Sequence, residues 1–383
     1  MQFNPDKTAE HGDAVGVGEG EPTADFEVLG GLDASDLAAL PGNFQLANGM
    51  RIGTGRNRMM LHTLACLILL LASHCAWSAA QSVSVVDSAH ELFNQGRYAQ
   101  ARAVLAPEAA KGSNDADVYY WMAKSDFEMR DFDDSIYEAE RAITLNPNTA
   151  EYHRLLGEAC GRKAEHSSWF AGVGLAKRTR AELEHAAELD PRNVPVRRDL
   201  VNFYTHAPGF VGGGEQKALD EIQQVFALDP VEGHLARLDY DQERKQWDQA
   251  DQECKSVLAA KPRRAGPYYE VASYYEHRDN GAALRLAVTE GRQNAGDTPR
   301  FDYYCAVAAV LTGDLDDAEA ELKRYLAVPP HSDQPSPADA HVWLGRLYEK
   351  QGNHAAALAQ FQEALKDDPN NKAAREAFKH EEK

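Results

Sequence analysis

The sequence is short of positive charge, of cysteine and of strand-like alternation, and each shortage removes a class of protein. Lysine and arginine total 40 against 60 aspartates and glutamates, a formal net charge of −20. Nucleic acid is not an expected partner, because phosphate contacts need a basic stripe that this balance does not suggest. The deficit runs along the chain: four basic residues face nine acidic ones in the first eighty positions, and 36 face 51 beyond them. Only five cysteines occur, Cys66, Cys75, Cys160, Cys254 and Cys305. The last three stand far apart at positions that read as core-facing, which favours burial over disulfides or metal binding. Strand-like alternation is confined to SVSVV at 82–86, too short for a sheet. Catalytic signatures are missing as well, with no HExxH, GxSxG or CxxC. The histidines are scattered, and His331, His341 and His354 read as polar surface choices. Asp133-Asp134 and Asp316-Asp317 open helices, where the dipole stabilises negative charge without any catalytic role. The chain is therefore expected to be no enzyme and to hold no cofactor or metal.

What is present is helical periodicity. At 26% charged and 43% hydrophobic residues, the composition fits a soluble helical protein rather than one with many membrane spans. Residues 338–371 read as two amphipathic helices broken at Gly352. The first carries Trp343, Leu344, Gly345 and Tyr348; the second carries Ala357, Phe361 and Ala364 and closes at Pro369. This unit resembles the tetratricopeptide repeat, whose period is about 34 residues. Laid backwards, the same frame marks repeats near 82–115, 116–149, 150–193, 194–230, 231–264, 265–298 and 299–332. Small residues at Ala123, Gly157, Ala272, Ala306 and Gly345 let paired helices approach, and Pro147, Pro191, Pro230, Pro262 and Pro330 close second helices. The resemblance implies an all-α, right-handed solenoid of about eight hairpins, with residues 372–383 as a polar capping helix.

Two repeats exceed the period. The excess, EHSSWFAGVG within 165–174 and HAPGFVGGG at 206–214, reads as enlarged turns projecting side by side, as in a bacterial subgroup of exported repeat proteins. Trp169, Phe170, Pro208 and Phe210 give that edge an apolar tip, which could dock a partner, although folding back as a plug is the favoured expectation. Gly212-Gly213-Gly214 ahead of Lys217 reads as a flexible turn rather than an anion nest, since no preceding strand or GxxxxGK[ST] pattern accompanies it.

The amino terminus differs. Residues 1–49, rich in Gly, Asp and Glu, read as a disordered or wrongly assigned extension. Arg51, Arg56 and Arg58, the run LHTLACLILLLASHCAW, and Ser78-Ala79-Ala80 follow in the order of a secretory leader, residues 50–80, with translation from Met50 and cleavage after Ala80. The apolar part is short for a span of about 20 residues. A periplasmic location is expected, and anchoring by an uncleaved leader is the alternative. His74 before Cys75 argues against lipidation.

The resemblance further implies a groove lined by first helices that holds a peptide or protein. By register its residues are Phe93, Tyr120, Trp121, Lys124, Arg154, Arg198, Asn202, Tyr269, Tyr303, Tyr304, Trp343 and Arg346, unless they merely pack against neighbours. Arg198 and Asn202 match a carboxylate-gripping pair, but Ala236, Gly266 and Glu270 at the helping positions leave the clamp incomplete. The favoured expectation is a scaffold without turnover. The alternative is a small-molecule carrier or accessory subunit of a periplasmic solute transport system, with an aromatic pocket near Tyr303 and Trp343.

Overall fold

A computed structural model describes residues 84–328 and 335–381. The extension, the leader, His331 and Pro330 lie outside these residues. Among the described residues there are seventeen α-helices and no strand: α1 (Val85–Asn94), α2 (Tyr98–Ala110), α3 (Ala116–Glu128), α4 (Phe132–Leu145), α5 (Ala150–Glu165), α6 (Trp169–Leu189), α7 (Val194–His206), α8 (Glu215–Leu228), α9 (Pro230–Glu243), α10 (Trp247–Ala260), α11 (Gly266–His277), α12 (Gly281–Ala295), α13 (Pro299–Thr312), α14 (Ala318–Leu326), α15 (Pro337–Lys350), α16 (His354–Asp367) and α17 (Lys372–Glu381). They form a solenoid of eight hairpins, each an odd-numbered helix followed by an even-numbered one, closed by α17. Val85 and Val86, the end of the strand-like run, instead open α1, because the Ser84 side chain accepts from the Asp87 amide at 3.1 Å.

One turn is reused. In five hairpins the residue before the second helix's cap takes a left-handed conformation, Gly96, Arg130, Lys245, Asp279 and Gly352, and in α13–α14 Gly313 takes it directly after the first helix, four residues ahead of the Asp317 cap. Such a residue ends the first helix by turning its last carbonyls onto following amides. Asp131, Asn280 and Asn353 come next and cap the second helices. The hairpins that lack this turn are α5–α6 and α7–α8, which carry the two inserts.

Packing follows from the small positions. A Cβ on Gly345 would lie 2.3 Å from Phe361, and one on Gly157 would lie 3.0 Å from Leu183, so these helix pairs touch backbone to ring or branch. Between hairpins, large side chains such as Tyr268, Phe301 and Leu322 are buried in a core that continues from α9 to α15. Ala374 of α17 covers Ala338, Val342 and Ala364 at the carboxyl end. Cys160 and Cys254 are buried and Cys305 is half-buried; all three thiols are free. Burial raises each thiol above its ordinary range, Cys160 and Cys305 to about 11.

The first insert departs from expectation. EHSSWFAGVG is not an enlarged turn: α5 runs to Glu165, three residues turn, and α6 begins at Trp169 and extends for 21 residues. Gly172 and Gly174 lie inside α6. A Cβ on Gly172 would sit 3.2 Å from the Ala164 carbonyl, so the glycine serves close helix approach. The second insert does form a turn, with a 3-10 segment at Gly209–Val211 whose Val211 is buried.

Candidate functional site

The odd-numbered helices line the inner side of the curve, and polar side chains placed there reach beyond the adjacent hairpin. From α7, Arg198 contacts Glu232 and Asp239 of α9 at 2.8 Å each and Glu270 of α11 at 2.7 Å. On α11, Glu276 accepts from the Tyr303 hydroxyl of α13 at 2.6 Å and from the Trp343 indole of α15 at 2.7 Å. Contacts that skip a hairpin require this face to be concave. Arg154 of α5 meets Asp199 of α7 at 2.6 Å, Glu158 at 2.8 Å and Glu151 at 3.4 Å.

This ionic wall carries more acid than base. Burial raises the Asp239 carboxyl to about 6, against the opposing pull of Arg198. Burial, with Asp199 adding repulsion, raises Glu158 to about 7. Asp199 and Glu276 are raised by burial too. Part of the Asp239 side chain meets solvent, yet walls on both sides leave little room for water around its charge. Four cations rest on rings instead: Lys124 over Phe93 and Trp121 at 4.9 and 4.8 Å, and Arg278 over Trp247, Arg300 over Tyr269 and Arg346 over Trp343, each at 4.4 Å.

The register-derived residues separate into two groups. Phe93, Tyr120, Trp121, Lys124, Arg154, Arg198, Tyr269 and Arg346 are half-buried on the inner face, and Asn202 is exposed. Tyr303 and Tyr304, at 1% exposure, and Trp343, at 5%, are instead buried. Inner-face register does not ensure access here, because these rings fill the narrow gap between hairpins and hand their polar atoms to neighbours. The recess beside Tyr303 and Trp343 holds about 250 Å³, small for a drug-sized ligand. Arg198 is engaged by three carboxylates, so it offers no clamp.

The glycine run forms a turn, as expected, whereas expectation fails at the insert tip. The amides of Gly212, Gly213 and Gly214 donate to Gly209, Pro208 and Tyr204 carbonyls at 3.0, 3.3 and 3.0 Å, leaving no anion nest. Trp169, Phe170 and Phe210 do not fold back: they are 65%, 88% and 57% exposed, with the Trp169 and Phe210 rings 5.4 Å apart. Pro208 is exposed beside them. The two inserts thus meet at one edge. Sequence reasoning missed Glu158, Asp199, Asp239 and Glu276; the available signal for the first three was their placement about one turn from, or next to, Arg154, Arg198 and Ala236, whereas Glu276 stands two turns beyond Tyr269. Among the described residues no group of three His, Cys, Asp or Glu could hold a metal ion, and no helix is long and apolar enough to cross a membrane.

Two recesses lie along this wall. One of about 450 Å³ is lined by Arg154, Arg198, Asp199 and Arg264, another of about 600 Å³ by Trp247, Tyr269, Glu270 and Arg300, and both include Asn202 and Asp239.

Comparison with known proteins finds the repeat itself. Models of the tetratricopeptide repeat match residues 313–372, and also 89–107 and 299–324. No curated protein matches the sequence. Among solved structures the chain is similar to a tetratricopeptide repeat protein from Parabacteroides merdae, at 10% identity over 78% of this chain and 98% of that one, with a TM-score of 0.44. It is also similar to a thermophilic TPR protein in Thermus thermophilus, at 15% identity over 78% and 96%, TM-score 0.28, and to the human IFIT1 dimer with PPP-AAAA, at 14% over 85% and 77%, TM-score 0.48. Tetratricopeptide repeats are therefore present in this chain, matched at residues 89–107 and again across 299–372.

Proposed function

We propose that the chain is an exported scaffold that binds a protein or peptide along its inner face and carries out no chemistry of its own. The observation that carries this reading is the pair of recesses joined through Asn202 and Asp239, a continuous trough on rigid helices that mixes half-buried aromatics with charged groups. Aromatic and arginine side chains bury large area while keeping a polar handle, the composition that partner surfaces favour. Export is supported by the basic, apolar and small-residue order of residues 51–80.

A photo-crosslinking residue in place of Asn202 tests the trough. It is expected to yield discrete protein adducts in the producing cell, whereas the same residue at exposed Lys255 on the outer helix α10 is not. Equal labelling at both positions, or none at Asn202, overturns the reading. Amino-terminal sequencing of the mature protein checks export and is expected to begin at Gln81; retention of residues before Met50 contradicts it.

A further inference from the structure

We propose that the cleft between α5 and α7, floored by α6, seats an apolar segment of a partner protein that carries a lysine or arginine. This rests on the scaffold reading and names the partner's chemistry. The cleft holds about 530 Å³ and lies where the lengthened helices of the first insert run past their neighbours. Phe127, Leu183, Phe203 and Pro208 supply its apolar wall, and Glu158 and Asp199 add two carboxylates to its lining.

Three observations converge on that occupant. First, Glu158 and Asp199 share one hydrogen-bonding cation, and Arg162, the other cation lining the cleft, is paired with Glu165 at 3.0 Å. Glu158 and Asp199 each give one oxygen to the single guanidinium of Arg154, which also serves Glu151. A cation arriving there relieves their mutual repulsion. Second, Thr179 lines the cleft at 6% exposure, and its hydroxyl has no hydrogen-bond partner among the described residues. An idle buried hydroxyl costs stability unless something reaches it. Third, the lining is mostly apolar, and the exposed Trp169 and Phe210 rings stand at the same insert edge as Pro208. An alkyl stem lying on Phe127 and Leu183, with its charged head at Glu158 and Asp199, satisfies both halves of the cleft.

The charge of these carboxylates makes binding pH-dependent. Glu158 faces Arg154 and Glu151 on its own helix, Lys124 on α3 and Asp199 on α7. Burial and Asp199 hold its carboxyl up to about 7. The bound cation favours the ionised form, so affinity falls as pH drops from about 8 to about 6.

Selection of a random displayed peptide library against the full chain, at about pH 8 and low salt, provides the probe. Enriched peptides are expected to pair leucine or an aromatic with lysine or arginine. They are expected to bind the Glu158→Gln/Asp199→Asn double variant at least about tenfold more weakly. The same loss is expected with Gly161→Leu. A Cβ there meets Thr179 at 3.4 Å, ordinary contact, and the longer side chain fills the cleft. One variant acts through charge and the other through space, so a folding fault in either, seen by circular dichroism, leaves the other decisive. Peptides that lack basic residues, or that bind both variants unchanged, overturn the cleft assignment and leave the trough reading standing. Absence of any enriched peptide removes both.

Discussion

Glu158 couples the inner face to pH through stability as well as through binding. Its ordinary value in an unfolded chain is about 4.3, and burial with Asp199 beside it raises the folded value to about 7. Between those values the folded protein keeps a proton that the unfolded chain has released. Stability attributable to this group is therefore greatest below the unfolded value, falls as pH rises through the window, and levels off above the folded value. Glu158→Gln removes the penalty. Thermal denaturation is expected to show the variant matching wild type near about pH 4 and exceeding it by on the order of 1 kcal/mol near about pH 8. Two glycines give a second contrast at this scale. Gly345→Ala drives a Cβ to 2.3 Å from Phe361 and is expected to cost about 1–3 kcal/mol in urea unfolding. Gly174→Ala, inside α6 with no atom within 4 Å of the new Cβ, is expected to gain about 0.5–1 kcal/mol.

The recurring turn is where the elements are decided. Gly96 and Gly352 announce it in the sequence, but Arg130, Lys245 and Asp279 adopt the same left-handed conformation with a Cβ present. Arg130→Gly and Lys245→Gly are each expected to raise the unfolding free energy measured in urea, by up to about 1 kcal/mol, since glycine enters this conformation without the steric cost. Hairpin order was legible because helix-period apolar positions, small residues at Ala123 and Gly345, and prolines after second helices all agree. The first insert was misread because Gly172 and Gly174 resemble loop residues, whereas Gly172 packs against the Ala164 carbonyl inside a long helix. Inner-face register placed Asn202 and Lys124 on the inner face but could not show that the Trp343 indole N–H donates to Glu276, 67 residues away. Such a contact depends on curvature, which no local pattern encodes.

Curvature belongs to the whole array, and Arg198 bridges three of its inner helices. By joining α7 to α9 and α11 it fixes the distance between alternate inner helices. Arg198→Gln removes the charge that gathers Glu232, Asp239 and Glu270, which then repel one another. Small-angle scattering is expected to show a larger radius of gyration for the variant at low salt, narrowing toward wild type as salt screens the freed carboxylates. An unchanged radius would assign the curve to apolar packing alone.

The ties that bypass α9 and α13 also bear on how the molecule comes apart. A stack of repeats ordinarily behaves as a row in which each unit feels only its immediate neighbours. Arg198 with Glu270, and Glu276 with Trp343, add couplings of longer range that overlap on α11. The stretch from α7 to α15 is therefore expected to exchange its amide hydrogens as a single block, and the hairpins α1–α2 and α3–α4, outside those couplings, to exchange first; uniform exchange along the array would contradict this.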